Sequence, residues 1–348
     1  MNRATPPPGT APSPPGTGRP APAVDPIGAA AATGADHPAG AGASAAGSAR
    51  RDVPTDASPI GLVGLGLIGH ALAARLAAAG CEVMGHDHRD AARAAWAEGG
   101  GRLAASPAEL AQGCRRIVLA VFDSAGVIEV VEGPQGLLEG AAPAVIVDCS
   151  TGDPDALQAL AARLALRGVD FIEAPLSGSS RQIAAGQATM LLGGDAAAIG
   201  RQGSLLDVLA PRRVHVGGAG MGARAKLATN LVLGLNRAAL AEGLVFAEHL
   251  GIAPQTFLDL VLATPARSDA ALIKGPSMVH GDFTPQSRIR QHLKDLQLML
   301  EQARAAGQDL PLSRVHAALL QAAVQAGDGE LDNAAVIRQI RRQKTAGP

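Results

Sequence analysis

The sequence predicts an α/β domain with a parallel sheet over residues 58–223, followed by an all-α domain over 224–342. Two patterns support this prediction. Between residues 60 and 150, short apolar runs alternate with segments of helical period, as strands and crossover helices do. Beyond residue 224 only helical periods follow, at 225–250, 254–262, 268–274, 291–306 and 312–326.

Residues 1–57 differ in composition from the rest of the chain. They are rich in Pro, Ala, Gly, Ser and Thr and nearly lack large apolar side chains, so they cannot bury enough surface to offset chain entropy. We expect a disordered tail. It lacks a basic start followed by an apolar stretch, so it is unlike a secretory signal. No later apolar run approaches the ~20 residues that cross a bilayer, and we expect a soluble protein.

A glycine-rich run, Gly64-Leu-Gly-Leu-Ile-Gly69, lies between an apolar strand at 60–63 and a helical segment at 70–79. Asp87 ends the next strand. A glycine run alone also occurs in structural turns. The preceding strand, the following helix and the acid at the expected distance make this run typical of a dinucleotide site. The domain at 58–223 is therefore predicted to be a Rossmann-type dinucleotide-binding domain.

Each glycine of the run has its own physical role. Gly64 permits the tight turn, Gly66 lets backbone amides approach a pyrophosphate, and Gly69 lets helix and strand pack closely. Leu67 and Ile68 lie between Gly66 and Gly69, just before the helical segment, whose N-terminus supplies partial positive charge. We count all five residues as cofactor-binding.

The acid after the second strand bears on the choice of cofactor. Asp87 should accept hydrogen bonds from a ribose diol and repel a 2′-phosphate, which favours NAD. His88 and Arg89 weaken this preference, since a cation immediately after the strand suits a 2′-phosphate. NAD is therefore the expected cofactor, with NADP as the alternative.

Two further apolar runs, at 116–121 and 144–148, are typical of buried parallel strands. Polar or aromatic residues follow them, and ligands of open α/β sheets bind at the carboxyl ends of strands. Asp123 and Ser150 could equally well cap the helices that follow. Four residues are in this position: Phe122, Asp123, Ser150 and Thr151.

The long helical segment at 225–250 carries Lys226 and Asn230, which share a face at i and i+4. An isolated lysine on a helix is ordinarily a solvated charge. This chain, however, uses arginine for nearly every positive charge, and arginine cannot be deprotonated in proteins. A lysine is therefore significant where proton transfer is needed. The only lysines are Lys226, Lys274, Lys294 and Lys344.

Composition excludes several other classes of function. Lys and Arg number 30 against 31 Asp and Glu, a formal net charge of −1, so no basic excess recommends nucleic acid or an anionic membrane as a partner. The scattered histidines and cysteines lack metal-ligand spacing. Free thiols suit a reducing cytoplasm. Ser177 has no adjacent histidine, which argues against a hydrolase triad.

Five blocks, in order along residues 60–342, resemble the β-hydroxyacid dehydrogenase family. That family includes 3-hydroxyisobutyrate dehydrogenase, tartronate semialdehyde reductase and threonate dehydrogenase. The blocks are Gly64-Leu-Gly-Leu-Ile-Gly69; Asp148-Cys-Ser-Thr151 with Pro154; Glu173-Ala-Pro-Leu-Ser-Gly-Ser179 continuing to Gly193-Gly194; Gly220-Met-Gly-Ala-Arg-Ala-Lys226-Leu-Ala-Thr-Asn230; and Lys294-Asp295-Leu296.

The resemblance implies catalytic roles for Lys226, as general acid/base, and for Asn230, beside it on the substrate hydroxyl. Ser177, Gly178 and Ser179 fall on the loop that binds the substrate carboxylate. The implied substrate is a small anionic hydroxyacid or its semialdehyde.

The resemblance also implies cofactor contacts. Thr151 falls near the nicotinamide, Phe122 and Asp123 on the cofactor loop, and Lys294 reaches the cofactor from the second domain. Members of the family associate through their helical domains, so a homodimer or homotetramer is expected.

The sequence departs from the family pattern at three positions. Ser179 replaces the second of two usual glycines, Thr229 replaces the first of two usual asparagines, and Ser287 stands where an aromatic residue is common. Ser179, Arg181 and Ser287 together predict a more polar pocket than a methyl-bearing substrate needs.

Three functions follow as hypotheses. The first is an NAD-preferring β-hydroxyacid dehydrogenase. The second is an imine reductase, which shares the fold and the glycine run but typically lacks the lysine. The third is a catalytically silent nucleotide-binding or scaffold member, in which the lysine is replaced. Lys226 favours the first.

Overall fold

Short apolar runs of the sequence form the strands of one twisted sheet. The structure, a computed structural model, describes residues 58–343, so the predicted tail at 1–57 lies outside the described residues. The strands are β1 Ile60–Val63, β2 Val83–His86, β3 Arg102–Leu103, β4 Arg116–Leu119, β5 Val145–Asp148, β6 Asp170–Glu173, β7 Leu176–Ser177, β8 Thr189–Gly193 and β9 Arg212–Gly217.

The strand order is β3-β2-β1-β4-β5-β6-β8-β7, with β9 paired to β8. Strands β1 to β6 are parallel, which confirms the predicted Rossmann-type sheet. From β1 the chain moves outward to β2 and β3, then returns to place β4 on the other side of β1. A crevice opens at such a reversal, at the carboxyl ends of the strands, and ligands bind there.

Eight helices connect these strands and cover both faces of the sheet. Central strands are therefore apolar on both sides. In β4, for example, Val118 packs into one core cluster while Ile117 and Leu119 pack into the other. The helices are α1 Leu67–Ala78, α2 Asp90–Glu98, α3 Pro107–Gly113, α4 Ser124–Glu132, α5 Pro154–Ala165, α6 Ser180–Ala184, α7 Ala196–Arg201 and α8 Gly203–Leu209.

From residue 221 onward the described chain is helical, as predicted. The long helix begins four residues before its predicted start at 225, directly after the turn at Gly220, whose φ is +88°. The elements are α9 Met221–His249, α10 Pro254–Ala263, α11 Asp269–His280, α12 Ile289–Ala305, α13 Pro311–Gln325, a 3₁₀ turn at Asn333–Ala335 and α14 Val336–Arg342.

Helix α9, at 29 residues, is long and apolar enough by composition to cross a membrane. This corrects the expectation that no segment of that kind occurs. In the structure α9 contacts α10, α11, α12, α13 and α14. Of its most apolar stretch of 18 residues, 44% is buried. The central helix of a folded helical domain meets the same criteria of length and composition.

The first glycine run packs as its spacing predicts. Gly64 has φ +96°, a left-handed conformation that favours glycine. A Cβ on Gly69 would lie 1.8 Å from the carbonyl oxygen of Gly64, whereas one on Gly66 would meet only an Arg89 side-chain nitrogen at 3.8 Å. Gly69 thus sets the contact between α1 and β1, and Gly66 leaves open space in front of its backbone.

Gly69→Ala is expected to lower the free energy of unfolding by about 1–3 kcal/mol, because the new methyl group overlaps backbone that cannot move aside cheaply. The shifted turn should also weaken cofactor binding. Urea unfolding and NADH fluorescence titration measure the two effects. Gly200→Ala is the matched control, since a Cβ there meets nothing within 4 Å. Equal stabilities of the two variants would contradict this packing role.

Candidate active site

A cavity of about 560 Å³ lies between the carboxyl ends of the central strands and the helical domain. It is within the size range of small-molecule and cofactor sites. The Rossmann-type domain contributes the glycine run and strand-end residues, and the helical domain contributes one face of α9 with parts of α11 and α12. Predicted site residues that line it are Gly64, Gly66, Leu67, Ile68, Asp87, Phe122, Thr151, Gly178, Ser179, Lys226 and Asn230.

Four predicted site residues are not among those lining the cavity: Gly69, Asp123, Ser177 and Lys294. Gly69 acts through packing, as described above. The Asp123 carboxylate caps α4 by accepting a hydrogen bond from Gly126 N at 2.9 Å. Of the two roles considered from the sequence, ligand binding and helix capping, the structure shows capping. Ser150 does not cap a helix with its side chain, because its Oγ accepts from Val121 N at 3.0 Å.

The start of α1 fits a cofactor phosphate. Gly66 is the N-cap residue and makes no side-chain capping hydrogen bond, and no acidic residue occupies the first turn. Unpaired amides at a helix N-terminus, together with the helix dipole, attract anions. The open space in front of Gly66 adds room for close approach of a dinucleotide pyrophosphate.

Asp87 is buried at the end of β2 and is held by several donors. Its carboxylate accepts from Leu65 N at 2.8 Å and from Arg89 Nε and Nη2 at 3.0 and 2.9 Å. Burial alone would raise the pKa of this carboxyl, but the hydrogen bonds from Arg89 and Leu65 lower it to about 2. Asp87 is therefore ionised across the physiological range, and Arg89 neutralises part of its charge.

Lys226 and Asn230 lie together on the buried face of α9. The Lys226 Nζ donates to the backbone oxygen of Leu176 at 2.6 Å and to Asn230 Oδ1 at 3.0 Å. Asn230 Nδ2 donates in turn to Asp295 Oδ2 at 3.1 Å. Asp295 thus fixes the amide so that its oxygen faces the lysine.

Burial determines the charge state of the lysine. Lys226 is 8% exposed. Desolvation lowers its pKa to about 8; nearby Asp295 opposes this shift, and the cations Lys294 and Arg237 add to it. An amine with such a pKa can accept and return a proton near neutral pH, which an exposed lysine cannot do efficiently.

Glu173, at the end of β6, positions this lysine and was not identified as a functional residue from the sequence. Its carboxylate accepts from the backbone amides of Gly220 and, at 2.8 Å, of Ala223. Negative charge at a helix N-terminus is stabilising. The carboxylate therefore fixes the start of α9 against the sheet, one turn before Lys226.

Lys294 joins the helical domain to the strand-end loops. Its Nζ donates to the backbone oxygens of Phe122, at 2.7 Å, and Thr151, and it pairs with Asp295 Oδ1 at 3.1 Å. The same atom lies 5.1 Å from the centre of the Phe122 ring. Lys294 thus holds the loops after β4 and β5 beside the residues of α9 and α12.

The departures from the family pattern have local explanations. Ser179 lines the cavity and caps α6, where Gln182 completes a reciprocal pair of hydrogen bonds. Ser287 also lines the cavity. Thr229 is exposed and its Oγ1 donates to Ala225 O at 2.9 Å. Arg181 is exposed and is not among the lining residues, so its predicted part in a polar pocket is wrong.

A further buried cation of the cavity, Arg237, was not predicted from the sequence. Arg237 is 3% exposed and lines the cavity at its helical-domain end. It follows Lys226, Asn230 and Leu233 at helical spacings of four, three and four residues, and all four residues line the cavity. This spacing is visible in the sequence and could have identified Arg237.

Comparisons with known proteins agree with this geometry. Residues 59–218 match a family model described as the NAD binding domain of 6-phosphogluconate dehydrogenase. Residues 220–340 match a second family model, described as NAD-binding of NADP-dependent 3-hydroxyisobutyrate dehydrogenase.

Among curated relatives, the chain is 32% identical to L-threonate dehydrogenase of Cupriavidus necator, over 80% of this chain and 95% of that one. It is 31% identical to 2-(hydroxymethyl)glutarate dehydrogenase of Eubacterium barkeri, over 80% and 93%. A solved structure of 3-hydroxyisobutyrate dehydrogenase from Salmonella typhimurium matches with a TM-score of 0.71 at 29% identity, over 81% and 99%. The chain therefore belongs to the β-hydroxyacid dehydrogenase family of NAD(P)-binding oxidoreductases.

Proposed function

We propose that this protein is an NAD-preferring dehydrogenase that acts on a small β-hydroxyacid or its semialdehyde, with Lys226 as the general acid/base. The observation that carries the proposal is the buried Lys226 amine in the cavity, with a pKa of about 8 and a hydrogen bond to Asn230. The geometry supports proton transfer at a substrate hydroxyl placed between these two side chains.

In the oxidising direction, the neutral Lys226 Nζ takes the proton of the substrate hydroxyl. A bound NAD(P) supplies the acceptor for the hydride. Asn230, held by Asp295, orients the hydroxyl toward the amine. In the reducing direction the protonated Lys226 returns the proton to the forming alkoxide. Gly178 and Ser179, at the start of α6, border the cavity where the substrate carboxylate would bind.

A panel of short hydroxyacids, semialdehydes and cyclic imines, assayed with both cofactors, tests the proposal. We expect turnover of at least one hydroxyacid or semialdehyde. Turnover of imines alone would overturn the proposal in favour of an imine reductase. A folded protein that binds neither NADH nor NADPH in a fluorescence titration would instead be a silent scaffold.

Cofactor preference should depend on Asp87. Asp87→Asn keeps the size of the side chain but removes the charge that repels a 2′-phosphate, and it weakens the hold on Arg89. We expect the ratio of kcat/KM with NADP to that with NAD to rise about tenfold, which corresponds to about 1.4 kcal/mol. Arg89→Ala is the opposing control and should lower the same ratio. A ratio that neither substitution moves would contradict this role.

A further inference from the structure

Arg237 is a buried cation without a partner in the described part of the chain. Within residues 58–343 no hydrogen bond or ion pair reaches its guanidinium, and its Nη2 is fully buried with no acceptor there. Burial lowers its pKa to about 10. An unpaired buried charge is costly, and buried charges in proteins are ordinarily paired. The cavity that Arg237 lines is therefore where its partner is to be sought.

Asp332, Asp295 and Asp87 are already engaged, and Asp269, the remaining carboxylate that lines the cavity, is exposed and forms no ion pair with Arg237 within residues 58–343. Asp332 lies close enough to act on the charge of Arg237, yet its oxygens accept from Lys274 Nζ at 2.8 and 2.9 Å and from three backbone amides. Asp295 accepts from Asn230 and pairs with Lys294. Asp87 is held by Arg89 and Leu65 at the other end of the cavity.

The polar groups that surround Arg237 on α12 and α13 cannot neutralise it. The rings of His292 and His316 lie 5.3 Å apart between centres, tilted by 51°, and both residues are buried. Burial and the charge of Arg237 lower the pKa of both rings, to about 4 for His316, so both are neutral near pH 7. Gly234 makes room for them, since a Cβ there would lie 2.4 Å from His292 Nε2.

Arg237 also has a defined position relative to the reacting centre. Its Cα lies about 16 Å along α9 from that of Lys226, at about 1.5 Å per residue. The eleven-residue separation is about three helical turns, so both side chains lie on the same face of α9. Its charge contributes to the low pKa of Lys226. The Gly178–Ser179 loop borders the cavity separately, on the Rossmann-type domain.

We propose that Arg237 binds a second anionic group of the substrate, so that the substrate is a β-hydroxyacid with a further oxyanion at its far end. This inference rests on the proposed function. One carboxylate lies at the Gly178–Ser179 loop, the hydroxyl lies at Lys226 and Asn230, and the second anion pairs with Arg237. A monoanionic hydroxyacid leaves the guanidinium unpaired and binds less tightly.

Calorimetric binding to the full-length protein, with and without saturating NADH, tests this site apart from turnover. The probes are succinate, glutarate and adipate, each matched to butyrate, pentanoate or hexanoate of equal length. We expect at least one diacid to bind tenfold or more tightly than its monoacid. We expect Arg237→Met to reduce that preference about tenfold or more, to near equal binding of diacid and monoacid, and Arg237→Lys to restore part of it. Arg115→Met, at an exposed arginine, should retain the preference.

A wild-type protein that binds diacids no better than monoacids would overturn the proposal. So would a preference that survives in Arg237→Met. An ω-sulfonated carboxylate that binds more tightly than the diacid of equal length supports the anion site and identifies sulfonate as the second group. Failure of NADH binding or of turnover, with the diacid preference intact, would count against the proposed function alone.

Thermal unfolding separates this role from a structural one. Without added anion, Arg237→Met should unfold at the same or a higher temperature than wild type, because it removes an unpaired buried charge. The preferred diacid should raise the unfolding temperature of wild type and not that of the variant. A structural arginine would give the reverse, with the variant unfolding at a lower temperature and both proteins responding equally to the diacid.

Discussion

Lys226→Ala is expected to lower kcat by about 10²- to 10⁴-fold, the contribution typical of a positioned general acid or base. NADH should bind with nearly unchanged affinity, because the cofactor-binding glycine run lies on a separate domain from α9. Steady-state kinetics and NADH fluorescence titration measure the two quantities. Loss of turnover together with retained NADH binding separates a catalytic role from a general loss of structure.

Two further variants sharpen this test. Lys226→Arg keeps the positive charge but cannot lose its proton near neutral pH, so it should be about as inactive as the alanine variant. Thr229→Ala changes an exposed side chain on the same helix, one that donates only to backbone oxygens of α9, and should keep most of the turnover. Wild-type turnover in Lys226→Arg would rule out proton transfer by this residue.

The second large effect is expected on stability, at Asp332. Asp332→Ala leaves the buried Lys274 ammonium without its acceptor and also leaves the amides of Gln286, Ser287 and Ala334 unpaired. Removal of one member of a buried ion pair costs about 3–5 kcal/mol. Urea unfolding should show a loss of this size. Because Gln286 and Ser287 line the cavity, KM for the acid substrate should rise as well.

Lys274→Met provides the matched comparison for Asp332→Ala. It removes the cation but leaves Asp332 with its three backbone donors, and the methionine fills most of the space. The loss of stability should therefore be smaller than in Asp332→Ala. The reverse order, with Lys274→Met as the more damaging change, would contradict the view that Asp332 organises this region.

Much of the fold could be predicted because its signals are local. The glycine run sits between a strand and a helix, and the apolar runs at β4 and β5 have the length of buried strands. No strand was predicted at β3, β6, β7 or β8. β7 has two residues, and its partner β8 pairs with it antiparallel and with β9 parallel. Such pairing depends on contacts between distant segments, which local periodicity does not contain.

The site was predicted in part, for a related reason. Motif spacing predicted Lys226 and Asn230 as site residues. Both line the cavity, because a helix places residues four apart on one face whatever surrounds it. The positions of Asp295 and Glu173 depend on how α12 and β6 approach α9, which no local pattern specifies. The contact of Asp123, in contrast, is local: its carboxylate caps the helix that follows it, and this could be predicted from the sequence. Arg237 was missed although its spacing from Lys226 is regular.

The pH dependence of kcat/KM, measured in both directions, tests the central role of Lys226 most directly. Oxidation needs the neutral amine, so its rate should rise with pH through an apparent pKa at or below about 8 and level off above it, because a bound cationic nicotinamide favours the neutral form. Reduction needs the protonated amine, so its rate should fall as pH rises through about 8. A profile that is flat between pH 6 and pH 10 in both directions, or one that moves the same way in both, would contradict the account.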